Sequence, residues 1–302
     1  MINIYFAVNN IILNLFWILY QIRLKGIVIN KNTITSIAIG GFDGMHLAHQ
    51  ELFKKLDNNG GIIVIQTTYA NISPFRYREL HTKYPIYFYP LENIKHLSGK
   101  EFVNLIKEEF PNLKKIVVGY DFHFGHRAAY NNENLMDFFG GDVEIVPEYK
   151  IDNVPVHSRI IRSYLRDGEI SLANKFLGYN YQLSGLTIKG QGLGKKQFVP
   201  TININVRDFL IPEAGIYITK TQLNESIYCS VTFIGHRVTT DGQFAIETHL
   251  LDEDFKQDVP KSVRVEFIHK IRDNKKFDRF EDLKKQIEDD INYALLWFEG
   301  KK

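Results

Sequence analysis

"SIAIGGFDGMHLAHQELF", residues 36–53, decides the fold. An apolar run ends in Gly40 and Gly41, with Gly44 close behind. From His46 onward Leu47, Leu52, Phe53 and Leu56 recur at helical spacing. The pattern predicts a buried strand, a glycine turn and a helix over 46–56. "NNGG" (58–61) is expected to stop that helix, with glycine in the left-handed cap position. "IIVIQT" (62–67) follows as a second strand, giving the strand–helix–strand unit of a parallel sheet.

The pattern continues outward from there. "EFVNLIKEEF" predicts a helix, while "KKIVVGYDF" and "GDVEIVPEY" predict strands. "SRIIRSYLRDG" and "SLANKFLG" predict two short helices, the second closed by Gly178. After Gly178 the texture changes. Short alternating runs between about 181 and 270, separated by turn residues, predict an antiparallel barrel. In "DRFEDLKKQIEDDINYALLWF" the residues Leu283, Ile287, Ile291, Leu295 and Phe298 form one stripe of a final helix laid on the barrel. Asp278 and Glu281 resemble a capping box at its start. The expected fold class is an α/β N-terminal domain with a Rossmann-like parallel sheet, followed by an antiparallel β-barrel with a covering C-terminal helix. The expected division is an apolar extension over 1–30, an α/β domain over 31–180 and a barrel domain over 181–302.

Composition bounds the partners. The 302 residues carry 37 Lys and Arg against 35 Asp and Glu, so the formal charge is only +2 and no global field draws in nucleic acid. The one cysteine, Cys229, builds neither a disulfide framework nor a cysteine-based zinc site, which fits a cytoplasmic address. Residues 2–22 carry no charge and are long enough to span a bilayer. Asn3, Asn9, Asn10 and Asn14 are costly in hydrocarbon, and no signal-peptide features are present. A packed helix or an early start codon is the favoured reading, and a membrane anchor stays open. Nothing in the pattern specifies an oligomeric state.

Ligands of a parallel sheet sit beyond the carboxyl ends of its strands, where Gly40, Gly41, Asp43 and Gly44 lie. Glycine lets the backbone approach a ligand, and the helix N-terminus beyond offers unpaired N–H groups to an anion. His46 and His49 share one face of the first helical turn and are placed to meet a triphosphate. The same residues also suit an ordinary glycine-rich turn. A metal site is the weaker reading, since no third ligand is evident. In the second half, "KGQGLGKKQFVPTININ" (189–205) alternates Gly190, Gly192 and Gly194, followed by Lys195 and Lys196. Such a backbone can curl round an anion. Thr201 and Asn203 then fall on one side of an extended strand, as oxygen donors suited to Mg²⁺ shared with phosphates. A plain hairpin with a glycine-rich loop is the alternative.

"IGGFDGMHLAHQELF", "VVGYDFHFGHR" (117–127) and "SRIIR" (158–162) together resemble the bacterial bifunctional riboflavin kinase/FAD synthetases. By that resemblance His46 and His49 bind and activate ATP, and Ser158 and Arg162 hold its phosphates. Asp121, Phe122 and Phe124 help form the pocket floor. "PTIN" and "FAIETHLLD" resemble the riboflavin kinase module, which makes Glu247 the general base at the riboflavin hydroxyl and puts Arg272 near the flavin. Thr201 and Asn203 hold the metal. The resemblance runs from about residue 36 to 298. It implies that riboflavin and ATP give FMN, and that FMN and ATP give FAD and pyrophosphate, both with Mg²⁺. One pocket is expected at the crevice of the α/β layer and one inside the barrel. Three departures stand out: Ala48 replaces a glycine between the histidines, "TTYANISPFRYREL" replaces a Phe-Glu-Pro-His-Pro stretch, and Arg159 and Ile160 follow Ser158 where a threonine is usual. They motivate the alternatives of a kinase with a degenerate adenylyltransferase domain and of a non-catalytic flavin-binding regulator.

Overall fold

The computed structural model describes residues 30–68, 70–188, 199–239, 241–252 and 258–300. The apolar extension lies outside them. Five strands, β1 (Ser36–Gly40), β2 (Gly60–Gln66), β3 (Ile86–Pro90), β4 (Lys115–Gly119) and β5 (Asp142–Val146), form a parallel sheet in the order β3-β2-β1-β4-β5. The order reverses at β1, where a crevice is expected. The ladder between β1 and β4 stops at Ala38, opposite Val117, two residues short of Gly40. The two strands therefore part at their carboxyl ends.

Both sheet faces are covered, so β1 reads as a continuous apolar run rather than an alternating one. Ile37, Ile39, Ile63, Ile116 and Val118 meet α3 (Gly99–Glu109) and α4 (Asn132–Phe139) on one side. Ala38, Ile62, Val64 and Val117 meet α1 (Leu47–Phe53) on the other. A single helical turn, α2 (Leu91–Ile94), follows β3. After β5 come a short ladder of β6 (Lys150–Ile151) with β7 (Val154–Pro155), then α5 (Ser158–Arg166) and α6 (Ile170–Leu177). Gly178 closes α6 in the left-handed conformation, as predicted.

Two local expectations fail here. Helix α1 ends at Phe53 with Lys54 as a right-handed cap, and Gly60 and Gly61 open β2 instead of capping a helix. Their role is close approach: a Cβ at Gly60 would lie 2.8 Å from Leu56 Cβ and 2.9 Å from the Tyr84 ring.

The barrel closes in the order β10-β11-β12-β9-β8-β13, with every neighbouring pair antiparallel. Its strands are β8 (Gln182–Ile188), β9 (Ile202–Asn205), β10 (Gly215–Leu223), β11 (Ser226–His236), β12 (Phe244–Leu250) and β13 (Ser262–Asp273). The interior is filled, not hollow. Thr219, Thr221, Ser230, Thr232 and Thr248 are all fully buried there. Their hydroxyls form a closed cycle: Thr232 donates to Thr248 (2.9 Å), and the ring continues through the pairs Thr248/Thr221 (3.0 Å), Thr221/Ser230 (2.8 Å), Ser230/Thr219 (2.8 Å) and Thr219/Thr232 (2.8 Å). Each hydroxyl can give one hydrogen bond and take one, so five groups are satisfied without water.

The last helix, α7 (Phe280–Glu299), lies against β11. It starts at N-cap Arg279 with no side-chain cap, so the Asp278/Glu281 box does not form. Its buried face passes through Asp290 and Ala294, while Leu295 is exposed. Four residues turn a helix about 40° past a full circle, so a strict i+4 stripe drifts off the contact line. The buried aspartate is held by Arg272 of β13, whose Nε and Nη2 donate to its two oxygens at 2.9 and 2.7 Å.

The sheet half and the barrel share one apolar core. Ile72, Val156, Ile161, Leu165 and Phe176 pack in the same cluster as Leu183, Ile204, Tyr217 and Phe267.

Candidate active sites

A cleft of about 400 Å³ opens where β1 and β4 part, lined among others by Gly40, Gly41, Ala48, Asp121, Phe122 and Ser158. His46 and His49 also line it, their rings stacked with centroids 3.5 Å apart. His46 caps α1, and both Nδ1 atoms are buried without a hydrogen-bond partner among the described residues. Burial pushes the His46 pKa down to about 3 and holds that of His49 well below the usual imidazole range, so both rings are neutral at pH 7. Neutral rings accept as well as donate, and the two Nδ1 atoms lack the partner that buried polar groups normally have.

The turn that carries them is strained. Phe42 (φ 46°), Gly44 (φ 84°) and Met45 (φ 41°) all adopt left-handed backbone, which costs about 1–3 kcal/mol at each non-glycine residue. Asp43 holds it in place. Its buried carboxylate accepts from the backbone N–H groups of Asn71, Ile72 and Ser73 at 3.0–3.1 Å and pairs with Arg162. Ser158 Oγ donates to the Asp43 carbonyl at 2.7 Å, and the Gly44 carbonyl accepts from Tyr179. Asp43, Gly44 and Arg162 therefore lie behind the turn and do not line the cleft. Phe124 stacks on Phe122 but sits in the core beneath it, also outside the cleft lining.

Sequence reasoning missed two features here. Arg78 is fully buried behind the turn, its Nε donating to the Phe42 carbonyl at 3.1 Å. Tyr120, Glu148 and His157 meet at the rim: the Tyr120 hydroxyl donates to Glu148 Oε1 at 2.9 Å and lies 3.3 Å from His157 Nε2. They come from three separate loops, so no spacing rule could have linked them.

The second site forms where β12 meets β9. Glu247 pairs with Asn203 across that ladder, and the Thr201 hydroxyl hydrogen-bonds to the Glu247 carboxylate. Arg237, also missed from sequence, places Nη1 3.3 Å from Glu247 Oε1. Burial raises the Glu247 pKa, opposed by the Arg237 charge. Thr248 points into the hydroxyl cycle, so Glu247, its neighbour on the strand, points outward. The site is thus on the barrel's outer face, a correction to the expected pocket inside it. Arg272 is engaged by Asp290, away from this corner. Gly190, Gly192, Gly194, Lys195 and Lys196 lie outside the described residues.

A family model described as riboflavin kinase matches residues 177–298, and one described as FAD synthetase matches residues 78–160. Two curated relatives are named bifunctional riboflavin kinase/FMN adenylyltransferase. The Haemophilus influenzae protein is 29% identical over 87% of this chain and 94% of its own length. That of Buchnera aphidicola subsp. Acyrthosiphon pisum is 30% identical over 89% of this chain and 95% of its own. This chain belongs to the bifunctional riboflavin kinase/FMN adenylyltransferase family. Among solved structures, a Streptococcus pneumoniae chain described as a macrolide-efflux protein shares its fold, with a TM-score of 0.75, 26% identity, and coverage of 87% of this chain and 97% of that one. Among the described residues no helix is long and apolar enough to cross a membrane.

Against the family pattern the departures now have places. Ala48 lines the cleft, so its methyl group stands at the ligand surface. The stretch that replaces Phe-Glu-Pro-His-Pro supplies Asn71, Ile72 and Ser73 to Asp43 and the buried Arg78 to Phe42. It braces the turn.

Proposed function

We propose that this chain makes FMN from riboflavin and ATP on the barrel, and FAD and pyrophosphate from FMN and ATP at the sheet cleft. The labour divides near residue 180. Family membership across both halves supports the pair of reactions, and the meeting of Glu247, Asn203 and Thr201 at one corner is the observation that carries the kinase assignment. Glu247 is the base for the riboflavin hydroxyl. A burial-raised pKa brings a carboxylate closer to the pH at which it works, and hydrogen-bond reach does the rest. Thr201 and Asn203 offer neutral oxygens that fit Mg²⁺ held jointly with ATP phosphates. The ion would neutralise phosphate charge in both reactions. Among the described residues no group of three or more His, Cys, Asp or Glu side chains is disposed to hold a metal, so the phosphates would complete the coordination.

At the cleft, Gly40 and Gly41 let the backbone approach the triphosphate, and His46 and His49 meet the reacting phosphate. Asp43, Ser158 and Arg162 keep the turn in shape. Phe122 and Asp121 line the flavin end. A kinase-only reading is favoured by one observation, the Ala48 methyl in the cleft wall.

Two incubations separate the readings. Riboflavin, ATP and Mg²⁺ are expected to yield FMN and then FAD by chromatography. FMN, ATP and Mg²⁺ are expected to yield FAD with pyrophosphate. FMN as the sole product would establish the kinase-only reading; flavin binding without ATP consumption would overturn both.

A further inference from the structure

Four imidazoles line the cleft, those of His46, His49, His123 and His157. His123 Nδ1 is engaged by the Asp121 carbonyl at 2.9 Å, and His157 is unlike the stacked pair. His46 and His49 pack on each other with their Nδ1 atoms shut off from solvent. His157 is a third exposed and has a carboxylate partner: its Nε2 lies 3.7 Å from Glu148 Oε1 and 3.3 Å from the Tyr120 hydroxyl. Tyr120 gives its one proton to Glu148, so the hydroxyl meets His157 as an acceptor and Nε2 is the donor. Nδ1 has no partner among the described residues and is the ring atom left for a ligand. His157 is also the N-cap of α5. The N–H groups of Ser158 and Arg159 just beyond it have no helical partner and mark the anion end of the cleft.

We propose that His157 is a further catalytic residue of adenylyl transfer, giving a proton to the departing pyrophosphate, with Glu148 and Tyr120 as its positioning residues. The proposal rests on the adenylyltransferase reading above. An oxygen of the FMN phosphate bonds to the α-phosphorus as the bond from that phosphorus to the bridging oxygen breaks. The electron pair stays on pyrophosphate, and its oxygen takes the Nδ1 proton of the His157 imidazolium. The ring leaves the step neutral and regains a proton from solvent, which its exposure allows. Glu148 Oε1 supports the charged ring, and Lys150 in turn pairs with Glu148 Oε2 at 2.8 Å. The groups that face His157 are Tyr120, Glu148 and the two histidines of the α1 turn, which are neutral at pH 7.

The test measures FAD formation from FMN, ATP and Mg²⁺ between pH 5.5 and 9 for wild type, His157→Gln and Glu148→Gln. FMN formation from riboflavin in the same preparations reports intact protein. Wild-type kcat is expected to show an alkaline limb, as a step that needs a proton donor does. His157→Gln keeps a donor in the Nε2 position, and its kcat is expected to drop about 10²-fold near neutral pH with that alkaline limb gone. Glu148→Gln is expected to move the limb to lower pH, which a purely structural contact would not do. If wild type makes FAD and His157→Gln matches it within about threefold with the same pH profile, the role of His157 is overturned and the adenylyltransferase reading stands. If wild type makes no FAD, both fall.

Discussion

Glu247 shows how one position on a strand decides a role. A carboxylate on the inner face would sit in the hydroxyl cycle; one step along β12 it faces Asn203 and Thr201 instead. Glu247→Gln keeps shape and hydrogen bonding, so FMN formation is expected to fall by about 10²-fold or more with riboflavin affinity nearly unchanged. An unchanged rate would remove Glu247 from the role of base. The pH dependence follows from the environment. Burial favours the protonated acid and raises its pKa, while Arg237 favours the carboxylate and opposes that shift. A base must be ionised to act, so the acid limb of FMN formation should lie above the ordinary glutamate range. Arg237→Met should push it higher still; a limb that stays put would show that Arg237 does not act on Glu247. Residues of this kind were only partly legible in the sequence. His46, His49 and Glu247 stood inside recognisable motifs. Arg78 and His157 did not, because Phe42 and Tyr120 reach them from distant segments, and Arg237 did not, because it meets Glu247 only once β11 and β12 pair. Asp43 was legible as a residue of the turn, but its partnership with Arg162 across 119 positions was not.

At the scale of elements, patterning worked where an apolar run ends at a clear turn signal and failed where tertiary contacts set the boundary. The strands of the sheet and α6 with its Gly178 cap follow from apolar runs and a turn residue. The end of α1 and the start of α7 do not, since close packing at Gly60 and an arginine cap with no side-chain bond leave no local signal. Gly178 also ties two elements together. It has φ 81°, and a Cβ there would lie 2.5 Å from Leu47 Cδ2, in the first residue of α1. Gly178→Ala must therefore accept left-handed strain and displace Leu47 beside His46. Chemical denaturation should show about 1–3 kcal/mol of lost stability. FAD formation should fall more than FMN formation. A neutral substitution would mean that the α1 turn tolerates the shift.

For the whole molecule, the change of texture near residue 180 correctly announces two architectures and hides what joins them. The core passes from Ile161, Leu165 and Phe176 into Leu183, Ile204 and Phe267 without a break. Tyr77 packs edge-on against Phe209 with ring centroids 4.7 Å apart, and the Leu210 N–H donates to the Asn71 carbonyl at 2.8 Å. A strand pattern shows that a residue is buried, not which neighbour buries it, so the join had no signature. Urea unfolding followed by tryptophan fluorescence and by far-UV circular dichroism is expected to give coincident single transitions, because neither half keeps its apolar surface covered alone. Two separated transitions would show that the halves fold independently.

The five hydroxyls at the centre of the barrel form a circuit, and a circuit has a direction. The Thr232 hydroxyl donates to Thr248, and that one bond sets the sense of the rest, since a reversal anywhere else would make two hydrogens collide. Removing one member opens the loop and strands a neighbour. A Ser/Thr exchange keeps the circuit closed, whereas loss of hydroxyls at Thr219, Thr221, Ser230, Thr232 and Thr248 is expected to be tolerated as a concerted switch to apolar side chains rather than one residue at a time.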